Sequence, residues 1–487
     1  MLAGDQNLRI PQEIYAFFTN PGGHSLIVRG HAGTGKTTLA LQVIEDLAAI
    51  EKSYYFSTRV SDESLFIQFP WLKGKLEQDR KASGEGLMED KSRREGLSAL
   101  KGVASGRLRM DKGKMSLSIG KDLGEIEDLY STIEGRLPER TLLVIDSLDA
   151  LCERYGVGDL KLISAFQRDI VEGYGCNILY VLESPEQQLD YLGDGVVVLN
   201  LDEHEGRRTR VIDILKLRGC EIRQPKYLYS LRGGKVQSFD YRWEKAVGGG
   251  QSFAPILDHS DKVSCGTADL DALVMGGLEK GSVVLLELGA GVPTSVAGEI
   301  ENALVANFIT QNRGAVWVPV RKASAESARN RILRSVPGER FDKCVRIPEL
   351  ASAMDQPSGP YIMPVEGTSA ASDLKWANLT YYLQGTEAPL LSLIGFDTME
   401  SIYGSQVMEQ LTDHLAAVRR NKGIFVGITS TSTSSTQRLA DLATAHLKVG
   451  RIGGTVVIFG EEPYTECNAV TFREQEKGGR ICLTPIV

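Results

Sequence analysis

The stretch Gly30-His31-Ala32-Gly33-Thr34-Gly35-Lys36-Thr37-Thr38 constrains this chain more than any other. It matches the phosphate-binding pattern G-x-x-x-x-G-K-[S/T] at every fixed position. The flanks agree with it. Ser25 to Arg29 is a short, mostly apolar run, as a buried strand would be. From Thr38 to Ala49, Leu39, Leu41, Val43, Ile44 and Leu47 give a helix one apolar face. The motif therefore sits on a strand, a loop and a helix.

That geometry suits a nucleoside triphosphate. Glycines let the backbone curl until successive N–H groups converge on phosphate oxygens, and the helix N-terminus adds partial positive charge. Gly30 to Thr38 are accordingly expected to hold ATP, with Lys36 on the β- and γ-phosphates and the Thr37 hydroxyl on Mg²⁺. The alternative is an ordinary glycine-rich turn before a helix, which the complete motif in this setting disfavours. A second element supports the reading: Arg140 to Ser147 is an apolar strand ending in an acid, and Asp146 is expected to hold the Mg²⁺ through a water.

The chain has 487 residues, a length that suggests two to four domains, and 42% hydrophobic with 24% charged residues is ordinary for a globular protein. No apolar run is long enough for a membrane span, and no signal-peptide pattern opens the sequence. The seven cysteines are scattered without a C-x-x-C pair, which argues for reduced thiols in a cytoplasm and against structural zinc. A net charge of −8 offers nucleic acid no general attraction. Residues 70 to 115 are the exception, a basic and weakly apolar insertion that reads as a solvated surface loop or, less simply, a partner-binding patch.

Strand candidates at Ser53–Ser57, Asn177–Leu182 and Val196–Leu199 alternate with helical segments, which predicts an α/β domain with a mostly parallel sheet. Arg207–Leu217 and Lys226–Ser230 read as a closing hairpin. The pattern then starts again. Ser282–Leu286 resembles the opening strand, Leu391–Ile402 mirrors Leu142–Leu151, and Ile424–Ser430 mirrors Ile178–Ser184. An internal repeat of this length means tandem similar domains, here expected at 1–243 and 261–487 with a linker at 244–260. The copies differ at the chemistry. Gly33-Thr34-Gly35-Lys36-Thr37 becomes Gly291-Val292-Pro293-Thr294-Ser295, so the lysine is lost and Pro293 removes an N–H donor. The second domain is expected to be a degenerate copy.

On these stretches the chain resembles the KaiC-like ATPases of the RecA-type P-loop superfamily. The resemblance rests on the phosphate loop, on Val263–Gly281 as the lead-in to the second loop, and on Asp194-Gly195-Val196 followed by Lys216-Leu217-Arg218-Gly219, similar to the family's K-x-R-G hairpin. It implies tandem α/β domains, a homo-oligomer, and Lys216 and Arg218 reaching the nucleotide of a neighbouring subunit. A shorter likeness, Ser57-Thr58-Arg59-Val60-Ser61 followed by Phe69-Pro70-Trp71, is similar to the archaeal gas-vesicle regulatory proteins of the GvpD type. It implies a regulator that restrains a transcription activator through protein contact.

One departure matters. KaiC-like ATPases end the strand after the phosphate loop in acids that polarise the attacking water, whereas this chain has Thr58-Arg59-Val60. Asp62 or Glu63 would have to fold back to act as the base, and Arg59 is a candidate sensor of the γ-phosphate. Hydrolysis is therefore expected to be slow. The segment Glu183–Asp194 carries several acids and no Lys or Arg, which disfavours DNA recombination. The hydroxyl-rich Thr429–Thr436 reads as a polar flexible loop or, less simply, as a phosphate acceptor, since the family that the chain resembles includes autophosphorylating members. The expectation is an ATP-binding regulator; the rivals are a competent ATPase motor and a nucleic-acid-binding ATPase that uses the basic insertion.

Overall fold

The computed structural model describes residues 8–57, 62–72, 130–131, 133–135, 137–183, 187–241, 252–320, 324–351 and 359–487. Most of the basic insertion and the start of the expected linker lie outside these residues. The chain divides into two compact units, the first comprising residues 1–200, 212–225 and 233–237 and the second 201–211, 226–232 and 238–487.

The first sheet has eight strands: β1 (Ser25–Gly30), β2 (Lys52–Ser57), β3 (Thr141–Asp146), β4 (Asn177–Val181), β5 (Gly195–His204), β6 (Arg207–Leu217), β7 (Lys226–Ser230) and β8 (Gln237–Phe239). Their spatial order is β2-β3-β4-β1-β5-β6-β7-β8, and β1 through β5 pair in parallel. Residues buried on both faces explain why β1, β3 and β4 read as continuous apolar runs rather than alternating ones. Glu205 and Gly206, both at positive φ, make the two-residue turn from β5 to β6.

In the second unit, β9 (Lys262–Val263) and β10 (Leu278–Glu279) form a short antiparallel ribbon. Between them Thr267 caps a helix over Ala268–Leu273 by accepting from the Leu270 N–H. The main sheet has ten strands: β11 (Val283–Leu288), β12 (Arg313–Val318), β13 (Val345–Leu350), β14 (Ile362–Val365), β15 (Glu387–Gly395), β16 (Ile424–Ser430), β17 (Ala445–Ile452), β18 (Thr455–Glu462), β19 (Asn468–Phe472) and β20 (Ile481–Pro485). Its order, β14-β13-β12-β15-β16-β11-β17-β18-β19-β20, repeats that of the first sheet with β13 and β14 added at one edge. The tandem α/β architecture is thus present. Along β11 the side chains alternate between two cores: Val284, Leu286 and Leu288 enter one, Val283 and Leu285 the other.

The hydroxyl-rich segment after β16 is tied down. Glu400 accepts from the Ser434 N–H, the Ser435 N–H and the Ser435 hydroxyl at 3.1, 2.8 and 2.6 Å. One carboxylate on a neighbouring helix thereby satisfies three donors of this segment that otherwise need water.

The long helix Thr294–Thr310 carries a carboxylate where its counterpart Lys36–Leu47 has an apolar residue. Glu301 has no solvent exposure and accepts from Trp317 Nε1 and the Val320 N–H, both at 3.1 Å, while Arg331 lies 3.3 Å away. Burial pushes its carboxyl up to about 7, against the pull of Arg331 and the two hydrogen bonds. A folded value above the ordinary one near 4.5 means that the native state prefers the proton. That contribution is complete below pH 4.5 and is lost as pH rises to about 7. The second unit is expected to lose on the order of 3 kcal/mol over this interval. Glu301→Gln, which keeps an acceptor oxygen, should flatten the profile; an unchanged slope in denaturant titrations between pH 4.5 and 7 would refute the assignment.

Candidate functional site

The phosphate loop leaves β1 at Gly30 and enters the helix at Lys36. Gly33 and Gly35 adopt φ of 79° and 90°, values that side-chain-bearing residues avoid, so the two glycines are what permits the loop to curl. At Gly30 a Cβ would collide with the Leu199 carbonyl, which excludes any larger residue. Thr34 is buried and its hydroxyl donates to the His31 carbonyl at 2.8 Å, bracing the loop from inside. His31, Ala32 and Gly33 remain exposed at the rim, and Thr38 is buried behind them.

Lys36 folds into the mouth of the loop, donating to the Gly30 and His31 carbonyls at 2.7 and 3.1 Å. Thr37 points to the other side of the helix's first turn. Its hydroxyl donates to Asp146 Oδ2 at 2.7 Å. One strand, β4, separates β1 from β3, so the acid at the C-terminal end of β3 lies about 10 Å laterally from the loop strand, within reach of a helix packed on the sheet. A hydroxyl and a carboxylate side by side are the hard oxygen donors that Mg²⁺ takes, so these residues fit the ion.

A third side chain joins them. Tyr55 in β2 donates its hydroxyl to the same Asp146 oxygen at 2.8 Å. Burial, with the Asp146 charge adding to it, pushes the phenol far above its ordinary range, so it stays a donor at every working pH. The motif-based reading does not single out Tyr55. Its signal lies in strand alternation: Tyr54 and Phe56 pack into the core on one side, which turns Tyr55 to the other.

Lys216 and Arg218 lie elsewhere. Lys216 Nζ donates to the Gly193 carbonyl at 2.6 Å, and Arg218 Nη1 to Asp194 Oδ1 at 2.8 Å. Asp194 also takes the Ser25 hydroxyl, the Ser25 N–H and Gln167 Nε2. Ser25 begins β1 and Gly30 ends it, so this cluster and the phosphate loop sit at opposite ends of one strand, roughly 16 Å apart. Within one chain the two cations do not meet the loop. Arg59 lies outside the described residues; Glu63 falls in a helix over Asp62–Gln68, and its side chain likewise lies outside them.

Of the acids after β4, Asp190 and Asp194 have internal partners. Arg29, one residue before the loop, is buried and grips Asp190 with two bonds of 2.9 Å, while the Glu183 N–H donates to Asp149. At the Phe69-Pro70-Trp71 stretch, Trp71 Nε1 donates to the Gly234 carbonyl, and Lys235 lies 4.3 Å from the indole centroid while pairing with Glu45.

The second unit builds the corresponding loop from different residues. Helix Thr294–Thr310 starts behind Pro293, Thr294 and Ser295 are exposed, and Arg451 Nη1 reaches the Gly291 carbonyl at 3.4 Å. Among the described residues no cluster of His, Cys, Asp or Glu has the makings of a metal centre of its own, and no helix is long and apolar enough to cross a membrane.

Known proteins are similar to this chain in sequence. The model of the family "GvpD gas vesicle protein, P-loop domain" matches residues 14–217, which covers β1 to β6 and with them both Lys36 and Lys216. Protein GvpD2 of Halobacterium salinarum is 24% identical over 98% of this chain and 96% of its own length. Protein GvpD1 of the same organism is 23% identical with the same coverage. The circadian clock oscillator protein KaiC of Rippkaea orientalis is 24% identical over 66% of this chain and 58% of its own length. Over residues 14–217 the chain is thus similar to the GvpD P-loop domain, and over about two thirds of its length it is similar to KaiC.

Proposed function

We propose that the first unit binds one Mg·ATP and that the protein is a nucleotide-dependent regulator with at most slow hydrolysis, acting through contacts with other proteins in a cytoplasm. The observation that carries this reading is the meeting of Lys36, Thr37 and Asp146 at one loop, against Thr294 and Ser295 at its counterpart. Lys36 would move from its carbonyl partners to the phosphates, and Thr37 and Asp146 would hold Mg²⁺, which when bound neutralises phosphate charge. By likeness to the GvpD proteins the regulated process would be transcription for gas vesicles, and a protein activator would be the partner. Nothing among the described residues favours nucleic acid; most of the basic insertion lies outside them.

The position of Lys216 and Arg218 supports a homo-oligomer in which each chain completes its neighbour's site, since both cations lie far from their own loop. Nucleotide binding, turnover and mass in solution, measured together, test the whole reading. Expected are one nucleotide per chain, a larger mass with ATP than without it, and turnover below about 10⁻² s⁻¹. Lys216→Ala with Arg218→Ala should lower turnover at least about tenfold and leave nucleotide affinity in the dilute monomer unchanged. Fast turnover would point to the motor reading, and an unaffected double variant would remove the trans role.

A further inference from the structure

We propose that Tyr55 is a positioning residue for the metal-holding acid: its hydroxyl fixes the Asp146 carboxylate in the orientation that accepts Mg²⁺, independently of Thr37. The proposal rests on the reading of Thr37 and Asp146 as the magnesium pair. Both hydroxyls donate to Asp146 Oδ2, from Thr37 at 2.7 Å and Tyr55 at 2.8 Å, and they approach from different elements. Thr37 belongs to the helix that follows the loop and Tyr55 to the sheet, two residues before Ser57 pairs with Asp146 across β2 and β3.

The two donors are not equivalent when an ion arrives. Thr37 must turn a lone pair to the metal, so its hydroxyl is occupied on both sides and its hold on Asp146 depends on the ion. Tyr55 stands in the sheet, with Tyr54 and Phe56 on either side packed into the core. Its bond to Asp146 makes no demand on the metal. A carboxylate already held by a rigid neighbour loses less rotamer freedom when it receives the ion's water shell. A phenylalanine at position 55 keeps the ring and its packing and removes only the hydroxyl that makes this bond.

The test is a Mg²⁺ titration of the full chain at a fixed concentration of a fluorescent, non-hydrolysable ATP analogue, with a parallel measurement in EDTA. Tyr55→Phe should raise the Mg²⁺ midpoint about fivefold to tenfold and leave affinity in EDTA within about twofold of wild type. In an Asp146→Asn background the same substitution should produce no further shift, because the carboxylate that it orients is already gone. A responsive wild type with an unchanged Tyr55→Phe midpoint overturns this proposal alone. A merely structural role would weaken binding equally with and without Mg²⁺, or shift the Asp146→Asn protein as well, and either result overturns it too. A wild type that binds the analogue but ignores Mg²⁺ overturns the metal reading and this proposal with it.

Discussion

Lys36→Ala is expected to abolish nucleotide binding by the whole chain, lowering affinity for an ATP analogue by about 10²- to 10³-fold. The size follows from the bonding that the lysine provides. An ammonium that reaches two phosphates makes two charge-assisted hydrogen bonds in a site closed by the loop, each worth about 1.5–3 kcal/mol. In the structure the ammonium is buried and its partners are backbone carbonyls, so alanine leaves the mouth of the loop without its cation. The second unit is expected not to compensate, because Thr294 occupies the corresponding helix position. Equilibrium dialysis with a labelled analogue should give one site for wild type and none for the variant at the same concentrations. Two equivalent sites, or a loss under threefold, would show that the second loop still binds. Lys36→Arg keeps the charge and serves as the control for folding.

Asp194→Ala is expected to destabilise the first unit by about 3 kcal/mol. Asp194 is buried, as is Ser25, and its carboxylate takes the Ser25 hydroxyl, the Ser25 N–H, Gln167 Nε2 and Arg218. The ion pair contributes little of that sum, since the Arg218 side chain is 69% exposed. The loss comes from buried donors left without an acceptor, each worth about 1–3 kcal/mol. For a domain of this size the melting temperature should fall by about 10 °C. Asp194→Asn retains one acceptor and should lose about half as much. A shift under about 2 °C for Asp194→Ala, measured by scanning fluorimetry, would mean that water replaces the carboxylate. The same variant frees Arg218 and the β6 end from the start of β1, which makes it a second probe of the trans role.

Much of this protein was legible in its sequence for a definite reason: the informative signals are local. Gly30, Gly35, Lys36 and Thr37 must stand at fixed short spacings to curl one loop, so a pattern in one stretch suffices. Asp146 stood out because a buried strand that ends in an acid breaks an apolar run, and the repeat because the same local signals return in the same order. Even the missing loop lysine of the second copy reads directly from Pro293 and Thr294.

The rest depended on which strands become neighbours, and chain order does not contain that. Tyr55 meets Asp146 because β2 lies beside β3 in the register that pairs Ser57 with Asp146, although 91 positions separate the two side chains in sequence. Asp194 looked like one more acid in a loop until β5 placed it against the first residue of β1, where it binds donors from three separate segments. Arg29 and Asp190 likewise cancel each other inside the fold. Glu301 took the place of an apolar residue on its helix, and only the packing of Trp317, Val320 and Arg331 around it made that exchange tolerable. Sequence by itself determined that a phosphate loop exists, where it lies and that its second copy has lost the lysine. Tertiary structure decided which carboxylates are committed to the scaffold and which one faces the loop beside Thr37, because a buried charge is defined by the partners that the fold brings to it.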